Sequence, residues 1–241
     1  MAVPEEILSR RRSPVQIRLP ASPERESGSP RLPGQPVRRP DLVRFLSRLS
    51  GFRRPSAAWE QVATPPDAAA DLLLAAYARG DLVGCDVLDL GSGTGRLALG
   101  AAWLGAARVV GVEGEAEALE VARANAERAG LECQWVLSPV LTYDVPTDTV
   151  VMNPPFGAQR RHADRPFWDR ALTLARRAVY AFSLAESRTF IVRRAVAHGA
   201  RIDDTRPVPW ELPATFPHHR KARVPLSVDR WILRAERENL P

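Results

Sequence analysis

Apolar and polar positions follow two rhythms along this chain. Leu42, Phe45, Leu46 and Leu49 recur at helical spacing and Gly51 closes the run, so order begins with a helix near Asp41. A loop over residues 56–66 ends at Pro65 and Pro66. Asp67 is expected to cap a second helix carrying Ala70, Leu73, Leu74 and Tyr77, stopped by Gly80. Short apolar runs then trade places with helical ones. Residues 87–90, 108–112, 134–137 and 147–152 read as strands, and 96–104 and 115–129 as helices, with Gly130 ending the latter. The pattern continues with a helix at 166–178, a strand at 179–182 and a helix at 185–198. Residues 201–208 and 224–233 form the last strands. Such alternation predicts an α/β domain, a mostly parallel sheet with helices on both faces. There is no internal repeat.

The first 40 residues break this rhythm. They hold 8 of the 22 prolines, and their 8 Arg against 4 Glu supply +4 of the net +6. Residues 1–40 therefore read as a disordered basic tail, and residues 41–241 as the folded domain. The body keeps only about +2, too little to infer nucleic-acid binding from charge alone. Cys85 and Cys133, the two cysteines, have neither metal nor disulfide spacing and lie in apolar runs, as buried thiols of a reducing compartment would. No apolar run reaches the roughly 18 residues of a membrane span, and the start lacks the apolar core of a secretory signal, so the cytoplasm is the expected location.

Candidate chemistry concentrates after two strands. Asn153-Pro154-Pro155-Phe156 follows the apolar run Val150, Val151, Met152. The exocyclic amine of a base, like a carboxamide, has a delocalised lone pair and is a poor nucleophile. An Asn oxygen and a rigid backbone carbonyl can each accept one N–H, which aims the nitrogen. The two prolines stiffen the loop, and Phe156 offers a face to a planar base. Upstream, Asp89-Leu90-Gly91-Ser92-Gly93-Thr94-Gly95 leaves the first buried strand and opens a helix. Alternate glycines let the backbone approach a ligand, and Asp89 is placed to meet a cationic aminoacyl group. The G-x-G-x-G spacing, with Asn153-Pro154-Pro155-Phe156 on the same sheet edge, favours S-adenosylmethionine over a dinucleotide. Glu113 ends the second strand, where an acid can accept both ribose hydroxyls.

Together these residues resemble the methyltransferase-like protein 5 family and its archaeal relatives, across roughly residues 41–233. Glu60-Gln61-Val62-Ala63-Thr64-Pro65-Pro66, the glycine loop, the Asn153 loop, the segment from Ala178 to Leu184, and Leu212-Pro213-Ala214-Thr215-Phe216 with His219-Arg220-Lys221 carry the resemblance. It implies a Rossmann-like class I methyltransferase with a seven-stranded sheet, acting on adenine N6 in small-subunit ribosomal RNA. It implies that Gln61 and Thr64 close over S-adenosylmethionine, and that Gly91, Gly93, Thr94, Gly95 and Arg96 lie along its methionine portion. Glu113 would hold the ribose. Asn153 and the Pro154 carbonyl would orient the amine, and Phe156 would stack on the flipped base. It also implies a small zinc-binding methyltransferase activator as partner. The chain departs from the family pattern after the third strand, where Pro139 stands at the usual adenine-binding acid; Ser138 or the backbone beside Val140 is left to make that contact.

Other residues take plainer readings. His218 and His219 lack a third ligand, and no metal site is expected. They sit with Arg220, Lys221 and Arg223 where RNA phosphates could lie, and Arg160, Arg161, His162 and Arg165 directly follow the catalytic loop. Phe167 and Trp168, at a helix start, are expected in the core or on a partner surface, and Trp103 in the core. Two other functions stay open on sequence alone: methylation of a protein glutamine or of adenine in DNA, and an RNA-binding protein with a degenerate donor site.

Overall fold

The computed structural model describes residues 37–53, 55, 63–157, 162–213 and 223–236. Gln61, Arg160, Arg161, His219, Arg220 and Lys221, and the expected tail as far as residue 36, lie outside them.

A seven-stranded sheet forms the body, in the order β3-β2-β1-β4-β5-β9-β6. Its strands are β1 (Asp86–Leu90), β2 (Arg108–Glu113), β3 (Gln134–Leu137), β4 (Thr147–Met152), β5 (Ala175–Leu184), β6 (Ala200–Val208) and β9 (Val228–Ala235); β7 (Glu211–Pro213) and β8 (Arg223–Pro225) make a separate hairpin. Pairing is parallel from β3 through β5, whereas β9 runs antiparallel to both β5 and β6. The helices are α1 (Arg39–Ser47), α2 (Pro66–Ala78), α3 (Arg96–Trp103), α4 (Ala116–Ala129), α5 (Arg165–Leu174) and α6 (Arg188–Ala197).

Alternation along the strands builds two cores. Val87, Val109, Val151, Tyr180 and Ile232 join Leu46, Leu73 and Leu97 of α1–α3 on one face. Their neighbours Leu88, Val110, Val150, Val179 and Leu233 join Trp168 and Leu172 of α5 and Ile191 of α6 on the other. Burying each large side chain contributes about 1.5–3 kcal/mol. Trp168 and Trp231, both buried, meet edge to face at 6.3 Å. Trp103 stacks on Phe45, centroids 5.7 Å apart. No helix among the described residues is long and apolar enough to cross a membrane.

Some boundaries differ from the sequence pattern. The second helix starts at Pro66, after Pro65, and Asp67 lies in its first turn, 3.0 Å from Arg39. Proline suits N1 because its missing N–H would be an orphan there anyway. Helix α5 stops at Leu174, not at Ala178. The helix-prone Ala175-Arg176-Arg177-Ala178 continues instead into a ten-residue strand, because β4 and β9 pair with it from both sides. The last predicted strand divides into β8 and β9 around Leu226 and Ser227. Cys85 and Cys133 immediately precede β1 and β3 rather than lying within strands, and Cys133 is only half-buried.

Candidate active site

The strand order reverses between β1 and β4, the place where open α/β sheets hold ligands beyond the carboxyl ends of their strands. Register brings the two motifs together. Asp89 of β1 pairs with Val151 of β4, so Gly91 and Asn153 follow side by side on that edge. Leu90 pairs with Val112, so Glu113 emerges next to the glycine loop. A cavity of about 790 Å³ opens there, lined by Thr64, Asp89, Gly91, Gly93, Thr94, Arg96, Glu113, Val140, Asn153 and Pro155 among the expected residues.

The glycine loop is held from three sides. Gly91 and Ser92 donate to the Val112 carbonyl at 2.8 and 2.9 Å. Glu113 accepts from the Gly93, Gly114 and Glu115 amides at 2.8, 2.8 and 3.0 Å. The buried Asn125 of α4 donates to the Thr94 carbonyl at 2.9 Å and to Ser50 at 3.0 Å. Nothing in the sequence pattern singles out Asn125, which reads there as one more polar residue of an amphipathic helix. Gly91 and Gly93 have φ of 79° and 51°, and a Cβ on either would collide with a ring: Phe167 at 2.6 Å and Phe52 at 2.8 Å. Both rings line the cavity. Phe167, half-buried, packs against the second core as expected and also lines the cavity, whereas nothing local in the sequence marks Phe52. Gly95 is absent from the lining. Its φ of 84° begins α3, and a Cβ there would meet Trp135 at 2.6 Å, so its part is packing.

The polar groups of the cavity are unevenly paired. Asp89 is buried and accepts only the Ala98 amide, at 2.8 Å, among the described residues. Burial pushes its carboxyl up to about 7, against the opposing effect of that bond and with help from Glu113. Glu113 is raised too, chiefly by burial. Arg96 donates to the carbonyls of Thr64 at 2.5 Å and Leu49 at 3.3 Å, and its Nε has no partner among the described residues. Burial lowers its pKa. Buried carboxylates that resist ionising favour a cation, and a buried guanidinium bonded only to carbonyls favours an anion. The set thus suits a zwitterionic amino-acid end. Asn153 Oδ1 is likewise buried without a partner among the described residues.

Pro154, Phe156 and Ser138 are not part of the cavity lining. Pro154 is buried within the loop. Phe156 packs edge to face on Trp210 at 5.5 Å, and Trp210 meets Phe182 at 5.0 Å. The Ser138 and Thr142 hydroxyls lie 2.7 Å apart and both reach the Pro139 carbonyl, at 3.1 and 2.9 Å, while Pro139 and Val140 themselves line the wall. His162 also lines the cavity.

Comparison with known proteins agrees with this geometry. Residues 62–180 match the model of the methyltransferase small domain family. A ribosomal RNA N(6)-adenosine-methyltransferase of Drosophila melanogaster is 32% identical over 200 residues, 79% of this chain and 93% of that one. An uncharacterized protein of Methanocaldococcus jannaschii is 32% identical over 204 residues, 80% of this chain and 92% of its own length. A Pyrococcus horikoshii crystal structure, described as a candidate RNA methyltransferase, superposes with a TM-score of 0.77 at 38% identity, covering 83% of this chain and 99% of that chain.

Proposed function

The chain belongs to the methyltransferase-like protein 5 family, and we propose that it methylates the N6 amine of an adenine in ribosomal RNA of the small subunit. One observation carries this reading: the buried Asn153 Oδ1, without a partner among the described residues, on the wall of the cavity that also holds the glycine loop. An orphaned buried acceptor costs about 1–3 kcal/mol, and an entering N–H donor removes that cost.

S-adenosylmethionine, when bound, supplies a methyl group on a positively charged sulfur. Asp89 takes its ammonium, Arg96 its carboxylate, and Glu113 its ribose hydroxyls; Thr64, Gly91, Gly93 and Thr94 line the methionine portion. Pro139 and Val140 face the adenine end, where the nearby Ser138 hydroxyl is turned into its own loop. Asn153 Oδ1 and the Pro154 carbonyl accept the two N6 hydrogens and aim the nitrogen lone pair into the cavity. Pro155 stiffens the loop, and Phe156 supports the flipped base. Extrusion costs a few kcal/mol in a duplex and less in a loop. Orientation and electrostatics supply the rate, with no covalent enzyme intermediate.

Arg160, Arg161, His219, Arg220 and Lys221 bind RNA phosphates, and the protein works in the cytoplasm. The edge strand β3 receives a small zinc-binding activator protein. Support for that partner comes from the outer edge of β3, unpaired among the described residues, and from Leu137 and Leu141, 57% and 60% exposed. The function is tested by offering purified ribosomal RNA, genomic DNA and ribosomal protein with methyl-labelled S-adenosylmethionine. Label in RNA adenine is expected; label confined to protein or DNA overturns the reading.

A further inference from the structure

Among the described residues, His162 alone combines a side chain with a left-handed backbone, at φ 67°. A side chain with Cβ is disfavoured there, and glycine would fit without strain. The turn is held firmly: the Arg165 amide donates to the His162 carbonyl at 3.2 Å, and the Phe167 and Trp168 amides donate to the Asp164 carbonyl at 3.0 and 3.2 Å. The Asp164 side chain is buried and accepts from Ser187 at 3.2 Å. These bonds tie the His162 carbonyl to the start of α5.

The residue is exposed and lines the cavity, whereas Thr64, Asp89, Ser92 and Thr94 on the donor side are buried. It shares that lining with Asn153, from which an amine would be presented, and with Phe167, whose ring covers Gly91. An imidazole at the mouth of such a cavity offers a nitrogen donor and a nitrogen acceptor to whatever enters from solvent.

We infer that His162 is a substrate-contacting residue whose imidazole hydrogen-bonds the methyl-accepting nucleotide and secures its binding. The inference rests on the proposed RNA methylation. Backbone strain is retained here in return for that contact.

Two variants test it, H162G and H162N, with labelled S-adenosylmethionine and total ribosomal RNA as probes. In H162G the Tm should not fall and the Kd for S-adenosylmethionine should stay unchanged, while the apparent KM for RNA rises about five-fold. Asparagine tolerates the left-handed region and keeps both a donor and an acceptor, so H162N should stay within about two-fold of the parent. An H162G protein with unchanged KM, with its loss confined to S-adenosylmethionine affinity, or with a lowered Tm overturns the inference. A parent protein that methylates protein or DNA but no RNA overturns instead the function beneath it.

Discussion

The Trp210 indole meets the Phe156 ring edge to face, 5.5 Å between centroids, and holds the far end of the Asn153 loop against Phe182. Trp210 is buried and immediately precedes β7, and its carbonyl accepts the Leu226 amide at 3.0 Å. One side chain thus joins the catalytic loop to the hairpin that carries the basic C-terminal segment. Trp210→Ala should destabilise the fold by about 3–5 kcal/mol. Trp210→Phe, which keeps an aromatic edge, should lower kcat more than it lowers Tm. Denaturant melts beside steady-state kinetics check both; a Phe variant with full kcat removes Trp210 from loop positioning.

Asp81 supports the opposite end of the sheet. Its buried carboxylate takes the Tyr180 hydroxyl at 2.5 Å and Arg234 at 2.6 Å, with the more exposed Arg177 at 3.3 Å. Burial and Asp81 together raise the Tyr180 pKa. Asp81→Ala strands a buried hydroxyl and an arginine, a loss of about 3–5 kcal/mol. The residue is remote from the cavity, so S-adenosylmethionine affinity measured below the melting transition should not change.

Asp89 makes stability and donor binding depend on pH in opposite directions. Its folded pKa of about 7 lies above the 3.8 of an ordinary Asp, so the native state holds the proton more tightly. The stability from that proton is fully present below about pH 4 and is lost as pH rises through about 7. A cationic ligand favours the ionised form, so affinity for S-adenosylmethionine should increase over the same window, with proton release. Glu113 shifts in the same direction. Calorimetry in buffers of different ionisation enthalpy measures the released proton. Asp89→Asn should abolish most of it, and an unchanged release would assign the proton elsewhere.

Much of this arrangement was legible in the sequence because it is local. The glycine loop and the Asn153 loop each follow a short apolar strand, and parallel pairing of neighbouring strands carries both to one edge. The methyltransferase fold and family were legible for the same reason. What escaped depends on pairing between distant segments. Phe52, Asn125 and Trp210 are unremarkable in their own stretches and gain meaning only through distant partners: Gly93 for Phe52, Ser50 and Thr94 for Asn125, Phe156 for Trp210. The segment 175–178 shows the same effect on secondary structure, since helix propensity there yields to two flanking strands. Phe167 packs on the core as expected, and its second part, lining the cavity, depends on the approach of the glycine loop and is not readable from α5 alone.

The central claim is that Asn153 presents an adenine amine to the methyl donor. Its most direct test is mass spectrometry of nucleosides from ribosomal RNA treated with S-adenosylmethionine and either the parent protein or Asn153→Ala. N6-methyladenosine should form with the parent and fall by about 100-fold or more with the variant, the scale of losing one oriented group at a reacting centre. The variant should still bind S-adenosylmethionine with parental affinity. Equal N6-methyladenosine from both proteins, or none from the parent, would contradict the claim.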